Sequence, residues 1–319
     1  MTTSSTPVSS RASSSLRHPG LVEFSLLLLL ALVWGSSFLF IKIAVSNGMP
    51  PLTLATSRIF IGAVVLISVA RLRGQAWPGG TAQHHQPGGA GLWLRLVFLG
   101  IIGNSLPFFL IGWGEQFTAS QLAAILMATI PLLVLIIAHA MTHDEKLTGP
   151  KVIGVICGFA GVVVLVGVDA LQGLGAQVIG QIAIIGGCLS YSFYGVNARR
   201  LPQMGAEMTV GIILGLGFLS ILPIWLTIDR PWDLAPSGSA LFAALWLGLL
   251  STAFGNWLFF TLMRRSGASF ASNNNFLVPV MGLGWGFFGY GEVPGINALV
   301  ALVLILVGLA VPRLRRKTA

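Results

Sequence analysis

The chain has 319 residues, of which 55% are hydrophobic and only 8% charged, and its mean hydropathy is +0.87. A soluble domain carries about 25% charged residues, so the composition excludes a water-covered globular surface and leaves a multi-span membrane protein. A net charge of +9 does not point to nucleic acid here, because Lys and Arg in such a chain act as topology signals in loops.

Residues 1–21, rich in Ser and Thr and carrying Arg11 and Arg17, read as a disordered cytoplasmic tail. The apolar run that follows is too long for the core of a cleaved signal peptide. Helices are expected near 22–46, 52–70, 92–113, 119–138, 150–168, 178–198, 208–228, 240–262, 269–289 and 296–312. Each has about 20 residues, the length that crosses a hydrocarbon core of roughly 30 Å. Between the second and third, Arg71 to Gly91 contains Pro78, Gly79, Gly80 and Pro87 and reads as a loop, with His84 and His85 as a solvated pair. Cys157 and Cys188 lie in apolar stretches and read as packing residues. Residues 313–319 form a basic tail.

The stretches fall into two copies of a five-helix pattern, 22–168 and 169–312. At an offset of 148, Leu99/Leu247, Gly100/Gly248, Leu110/Leu258, Ala123/Ala271 and Pro131/Pro279 coincide. After the loss of one residue, Glu145/Glu292 and Gly161/Gly308 coincide. Five crossings is an odd number, so the second copy enters the membrane inverted. Inverted repeats with polar positions near the midplane are an architecture of secondary transporters. With the N-terminus in the cytoplasm, 15 of the 18 Lys and Arg residues fall on the cytoplasmic side and only Arg230 lies outside. External connections carry Glu115, Asp169, Asp229, Asp233 and Glu292. Both termini are therefore expected in the cytoplasm.

Val33-Trp34-Gly35-Ser36-Ser37 is followed by Lys42, Pro51, Ala55, Arg58 and Gly62; Pro131, Glu145, Gly154, Gly158 and Gly161 close the first copy, and Pro279, Glu292 and Gly308 the second. In order, spacing and duplication this resembles the drug/metabolite transporter superfamily, specifically its ten-helix EamA-type permeases. The resemblance implies an all-α membrane fold with a central cavity lined by spans 1, 3, 4, 6, 8 and 9. Spans 5 and 10 would lie at the periphery, where homodimer contacts can form. It also implies passage or export of small metabolites such as amino acids and their derivatives.

Polar groups inside a membrane are costly, so each needs an account. Arg58 is either a snorkelling side chain or a cationic contact for a substrate carboxylate; Lys42, nearer its helix end, reads as structural or gating. Asn104, Asn256 and the run Asn273–Asn275 are either interhelical hydrogen-bond partners or the lining of a wet cavity, and successive residues of the run point about 100° apart. Tyr191 and Tyr194 carry mid-span hydroxyls. The expected substrate-binding set is Trp34, Ser37, Arg58, Asn104, Tyr191, Tyr194, Asn256 and Asn274. Lys42, Pro131, Pro279, Glu145 and Glu292 form a structural or gating set, with the prolines freeing backbone carbonyls.

No cofactor, metal or catalytic residue is expected. His139 and His143, four apart near Asp144 and Glu145, are the best case for a metal-dependent membrane enzyme, but they lack the His-Glu-x-x-His arrangement. Gly284-x-Gly286-x-x-Gly289 mimics a dinucleotide fingerprint inside an apolar span and reads as helix packing. A channel is the remaining alternative. No carboxylate falls near a midplane, so facilitated diffusion is better supported than ion coupling, with a proton route through His139 or Glu115 left open. The expected partners are a small-molecule substrate and the bilayer of a bacterial inner membrane.

Overall fold

The computed structural model describes residues 20–77, 89–141, 147–171, 175–201 and 204–314. Their regular structure is entirely helical. The elements are α1 (Leu21–Ser46), α2 (Pro51–Leu72), α3 (Ala90–Gly114), α4 (Ser120–Met141), α5 (Gly149–Leu171), α6 (Ala176–Ala198), α7 (Ala206–Ile228), α8 (Gly238–Gly267), α9 (Asn274–Tyr290) and α10 (Ile296–Leu314). Among the described residues eight helices, α1 to α8, are long and apolar enough to cross a membrane; α10 holds a shorter apolar stretch, Ile296–Val311, and α9 has 17 residues.

Local chemistry sets several ends. Pro51 opens α2, where its missing N–H costs nothing. The Ser237 hydroxyl accepts from the Ala240 N–H at the start of α8. Gly291, at φ 69°, ends α9 in the left-handed region that glycine enters without penalty.

The main helix pairs are α5–α10, α2–α7, α1–α9, α4–α6, α3–α6, α1–α8, α4–α9, α2–α8 and α3–α7. Exchanging each helix for the one five places along returns the same set. The α5–α10 pair is the closest knit. A Cβ at Gly308 would stand 2.5 Å from the Gly154 carbonyl oxygen, and one at Gly161 would stand 2.8 Å from that of Ala301, so the backbones touch where only glycine allows it. Gly286 and Gly289, from the fingerprint-like run, likewise face Ser120 and Leu39 within helical α9.

Two helices carry π-helical stretches, Ile101–Ser105 in α3 and Leu247–Phe254 in α8. The offset of 148 superposes the first on the second. Each has a carbonyl bonded from another helix: Ser190 Oγ of α6 donates to the Ile102 oxygen (2.6 Å), and Trp34 Nε1 of α1 donates to the Ser251 oxygen (3.0 Å). The matched prolines behave differently. Pro131 cannot donate to the Met127 carbonyl, and α4 breaks into a turn at Ala128–Thr129; Pro279 sits within an uninterrupted α9.

The expected boundary between the eighth and ninth helices moves. Arg264 and Arg265 do not end α8, because each guanidinium finds a carboxylate: Arg264 Nη2 lies 3.3 Å from Glu207 Oε1, and Arg265 Nη2 lies 2.9 Å from Glu23 Oε1. Helix continues to Gly267, where φ 82° and ψ 161° turn the chain. The asparagine run therefore stands at the start of α9 rather than within it.

Candidate functional site

A cavity of about 350 Å³ opens among the helices, at the small end of the roughly 300–1,000 Å³ range of ligand sites. All eight residues expected at the substrate site line it: Trp34 and Ser37 from α1, Arg58 from α2, Asn104 from α3, Tyr191 and Tyr194 from α6, Asn256 from α8 and Asn274 from α9. Pro279 lines it too, as do Ala128 and Ile130 at the break in α4. The lining is wider than spans 1, 3, 4, 6, 8 and 9, because α2 contributes Arg58 and α7 contributes Val210. Thr252, in the π-helical stretch of α8, belongs to the wall and was not singled out from the sequence. An isolated threonine in an apolar run carries no signal of depth or direction.

Arg58 is held from two sides. Its Nε donates to Thr252 Oγ1 at 2.7 Å, and its guanidinium carbon sits 3.9 Å over the Phe108 ring. Among the described residues its two Nη nitrogens have no hydrogen-bond acceptor. Asn274 is 1% exposed, and neither its Oδ1 nor its Nδ2 has a partner among the described residues. Asn256 Nδ2 donates to the Thr252 carbonyl (2.7 Å), leaving Oδ1 free to accept. Trp34 is fixed by its bond to Ser251 and by the Phe259 ring, 5.4 Å between centroids. Aromatic walls and unsatisfied polar heads together make a surface suited to an amphipathic small molecule.

The gating candidates lie around this cavity. Lys42 does not line it; its ammonium donates to the carbonyls of Glu115 (2.7 Å) and Thr118 (3.0 Å), fastening α1 to the α3–α4 connection. Glu292 Oε1 accepts from the Ser120 N–H (2.9 Å), and Oε2 accepts from Ser120 Oγ (2.8 Å) and the Gln121 N–H (3.0 Å). It thus caps α4 from the α9–α10 connection, where a carboxylate meets the positive end of a helix dipole. Glu145, which coincides with Glu292 at the sequence offset, lies outside the described residues, as do His84, His85 and His143. His139 Nδ1 accepts from the Leu147 N–H (3.2 Å).

Glu115, expected in an external connection, is completely buried, and neither carboxyl oxygen has a hydrogen-bond partner among the described residues. Burial pushes its carboxyl well above the usual carboxylate range; Lys42 and Arg58 oppose that shift and Glu292 adds to it. At the opposite end of the bundle Glu207, its side chain fully buried, accepts from Arg73 Nη1 (2.7 Å), Gln75 Nε2 (2.6 Å) and Arg264 Nη2 (3.3 Å), tying α2, α7 and α8 together.

The model of the EamA-like transporter family matches residues 22–167 and again residues 178–312. Among curated relatives, the uncharacterized transporter YoaV of Bacillus subtilis is 26% identical over 87% of this chain and 92% of its own length. Protein PagO of Salmonella typhimurium is 23% identical, covering 89% and 90%. The uncharacterized inner membrane transporter YedA of Escherichia coli is 26% identical over 83% of each chain. A crystal structure described simply as that of a protein shares 25% identity, with a TM-score of 0.61 over 92% of this chain and 96% of that one.

Proposed function

The chain belongs to the EamA-like transporter family, and on that premise we propose that it is a secondary transporter of small metabolites such as amino acids or their derivatives, working by alternating access. The observation that carries the reading is the cavity itself. Arg58, Asn104, Asn256 and Asn274 converge there with Trp34, Tyr191 and Tyr194 inside an otherwise apolar bundle. Intramembrane polar groups that converge on one space mark a substrate path.

In this reading the chain crosses the membrane ten times as two inverted repeats, 22–168 and 169–312, with both termini in the cytoplasm. The exchange symmetry of the helix pairs and the twofold match of the family model support the repeats. The cytoplasmic bias of Lys and Arg supports the orientation. The Lys42 and Glu292 contacts then belong to an external seal, and the Arg73–Glu207–Arg264 cluster to a cytoplasmic one. Breaking one seal while the other holds is what alternating access requires. A bacterial inner membrane is the setting, and α5 with α10 offers the face for a homodimer.

A channel is the competing reading. Counterflow in proteoliposomes decides between them. A carrier gives saturable accumulation of labelled solute driven by unlabelled solute on the other side; a channel gives flux that neither saturates nor exchanges.

A further inference from the structure

Arg58 is the one formally charged side chain lining the cavity, among the described residues. A guanidinium remains a cation at any working pH. With Nε committed to Thr252 and the plane laid against Phe108, its two Nη nitrogens form a preoriented fork of the kind that grips a carboxylate. Among the described residues no carboxylate lines the same space to receive a substrate ammonium. Glu115, an acid that acts on Arg58, lies outside the lining and is held toward its neutral form by burial.

Two further features carry the same sign. Helix α9 begins at the cavity with Asn274 and Asn275, so the positive end of its dipole is directed there. At 17 residues α9 spans about 26 Å at 1.5 Å per residue, and the residues that open it, Asn274 and Asn275, line the cavity. Asn274, almost fully buried with both amide atoms unpartnered, calls for a ligand carrying a donor and an acceptor.

Building on the transporter reading, we infer that the cargo is a monoanionic carboxylate bearing an amide or hydroxyl group and no free ammonium, such as an N-acylated amino acid or a hydroxy acid. Arg58 holds the carboxylate and Asn274 the amide or hydroxyl. A zwitterion would leave its ammonium in this mostly apolar space without a counter-charge, which is costly.

The test is counterflow with purified protein in proteoliposomes, using matched aromatic and aliphatic sets: N-acetyl-phenylalanine, phenylalanine and phenethylamine; N-acetyl-leucine, leucine and isoamylamine; and the corresponding 2-hydroxy acids. The anions are expected to half-saturate at lower concentrations than the zwitterions, with the amines inert. Arg58→Gln is expected to raise the anion half-saturation about 30-fold or more, the effect of removing one partner of a desolvated charge pair. Asn274→Asp, which supplies the missing counter-charge, is expected to move the preference toward the free amino acids. Those two variants read different halves of the site, so misfolding of one does not silence the other. Free amino acids or amines moved in preference to every anion would overturn the assignment while leaving the transporter standing. An Asn274→Asp protein that still transports with its preference unmoved would also overturn it. Absence of saturable exchange for every solute, from folded protein, would overturn the transporter reading as well.

Discussion

The cap of α4 by Glu292 makes a quantitative prediction. Glu292→Ala removes the acceptor of two backbone N–H groups and one hydroxyl, on Ser120 and Gln121, which are 0% and 4% exposed. Each buried polar group left unpaired costs about 1–3 kcal/mol. Glu292 itself is half-buried, so water reaches part of the vacated space. The expected total is therefore about 2–4 kcal/mol rather than the full sum. Glu292→Gln keeps one carbonyl acceptor but loses the charge facing the helix dipole, a loss of about 1–2 kcal/mol. Thermal unfolding of purified protein should order the three as wild type, Gln, Ala, and the Ala variant should also lose coupling between the α9–α10 connection and α4. An Ala variant that melts with the wild type would refute the idea that this contact anchors α4.

Four other outcomes are expected. Burial favours the neutral form of Glu115, so the conformation with Lys42 bound to the Glu115 and Thr118 carbonyls is stabilised at lower pH and loses that stability as pH rises through the raised value; Lys42, Arg58 and Glu292 are the charges that act on it, and Glu115→Gln should flatten the fall in melting temperature on the alkaline side. Gly308→Ala forces a methyl against the Gly154 carbonyl and should cost about 1–3 kcal/mol in chemical or thermal unfolding, with α5 and α10 separating first in cross-linking. Trp34→Phe leaves the Ser251 carbonyl without its donor and should cost about 1–3 kcal/mol of stability, together with weaker substrate exchange. Glu207→Ala releases the tie among α2, α7 and α8, and cysteine accessibility at Arg73→Cys, read in the presence and absence of Glu207→Ala, should rise.

Much of this cavity's lining is legible in the sequence, for a plain energetic reason. In a chain with 8% charged residues, an arginine or asparagine in mid-span needs a protein or water partner, and Arg58, Asn104, Asn256 and Asn274 converge on one cavity. The offset of 148 is visible in the sequence because glycines and prolines at close crossings are constrained by backbone geometry. The burial of Glu115 is not legible in the sequence, because counting charges assigns a side of the membrane but no depth, and burial depends on contacts made by distant helices. The end of α8 was misplaced for a related reason: Arg264 and Arg265 resemble a cytoplasmic terminus, yet partners 57 and 242 residues away let the helix continue. The π-helical stretches leave no mark in hydropathy. The unlike fates of Pro131 and Pro279 show that one residue type at equivalent positions takes its effect from its neighbours.

The bonds from Ser190 to Ile102 and from Trp34 to Ser251 also bear on how the protein is made. A carbonyl without a donor in lipid costs several kcal/mol. During synthesis α3 emerges before α6, so Ile102 waits for Ser190 to be translated, whereas α8 meets Trp34 already in place. The first half is therefore the one that leaves the ribosome with an irregular helix uncovered. Expressed alone, each half leaves one such carbonyl uncovered and should be readily degraded, and co-expression of the two should rescue both.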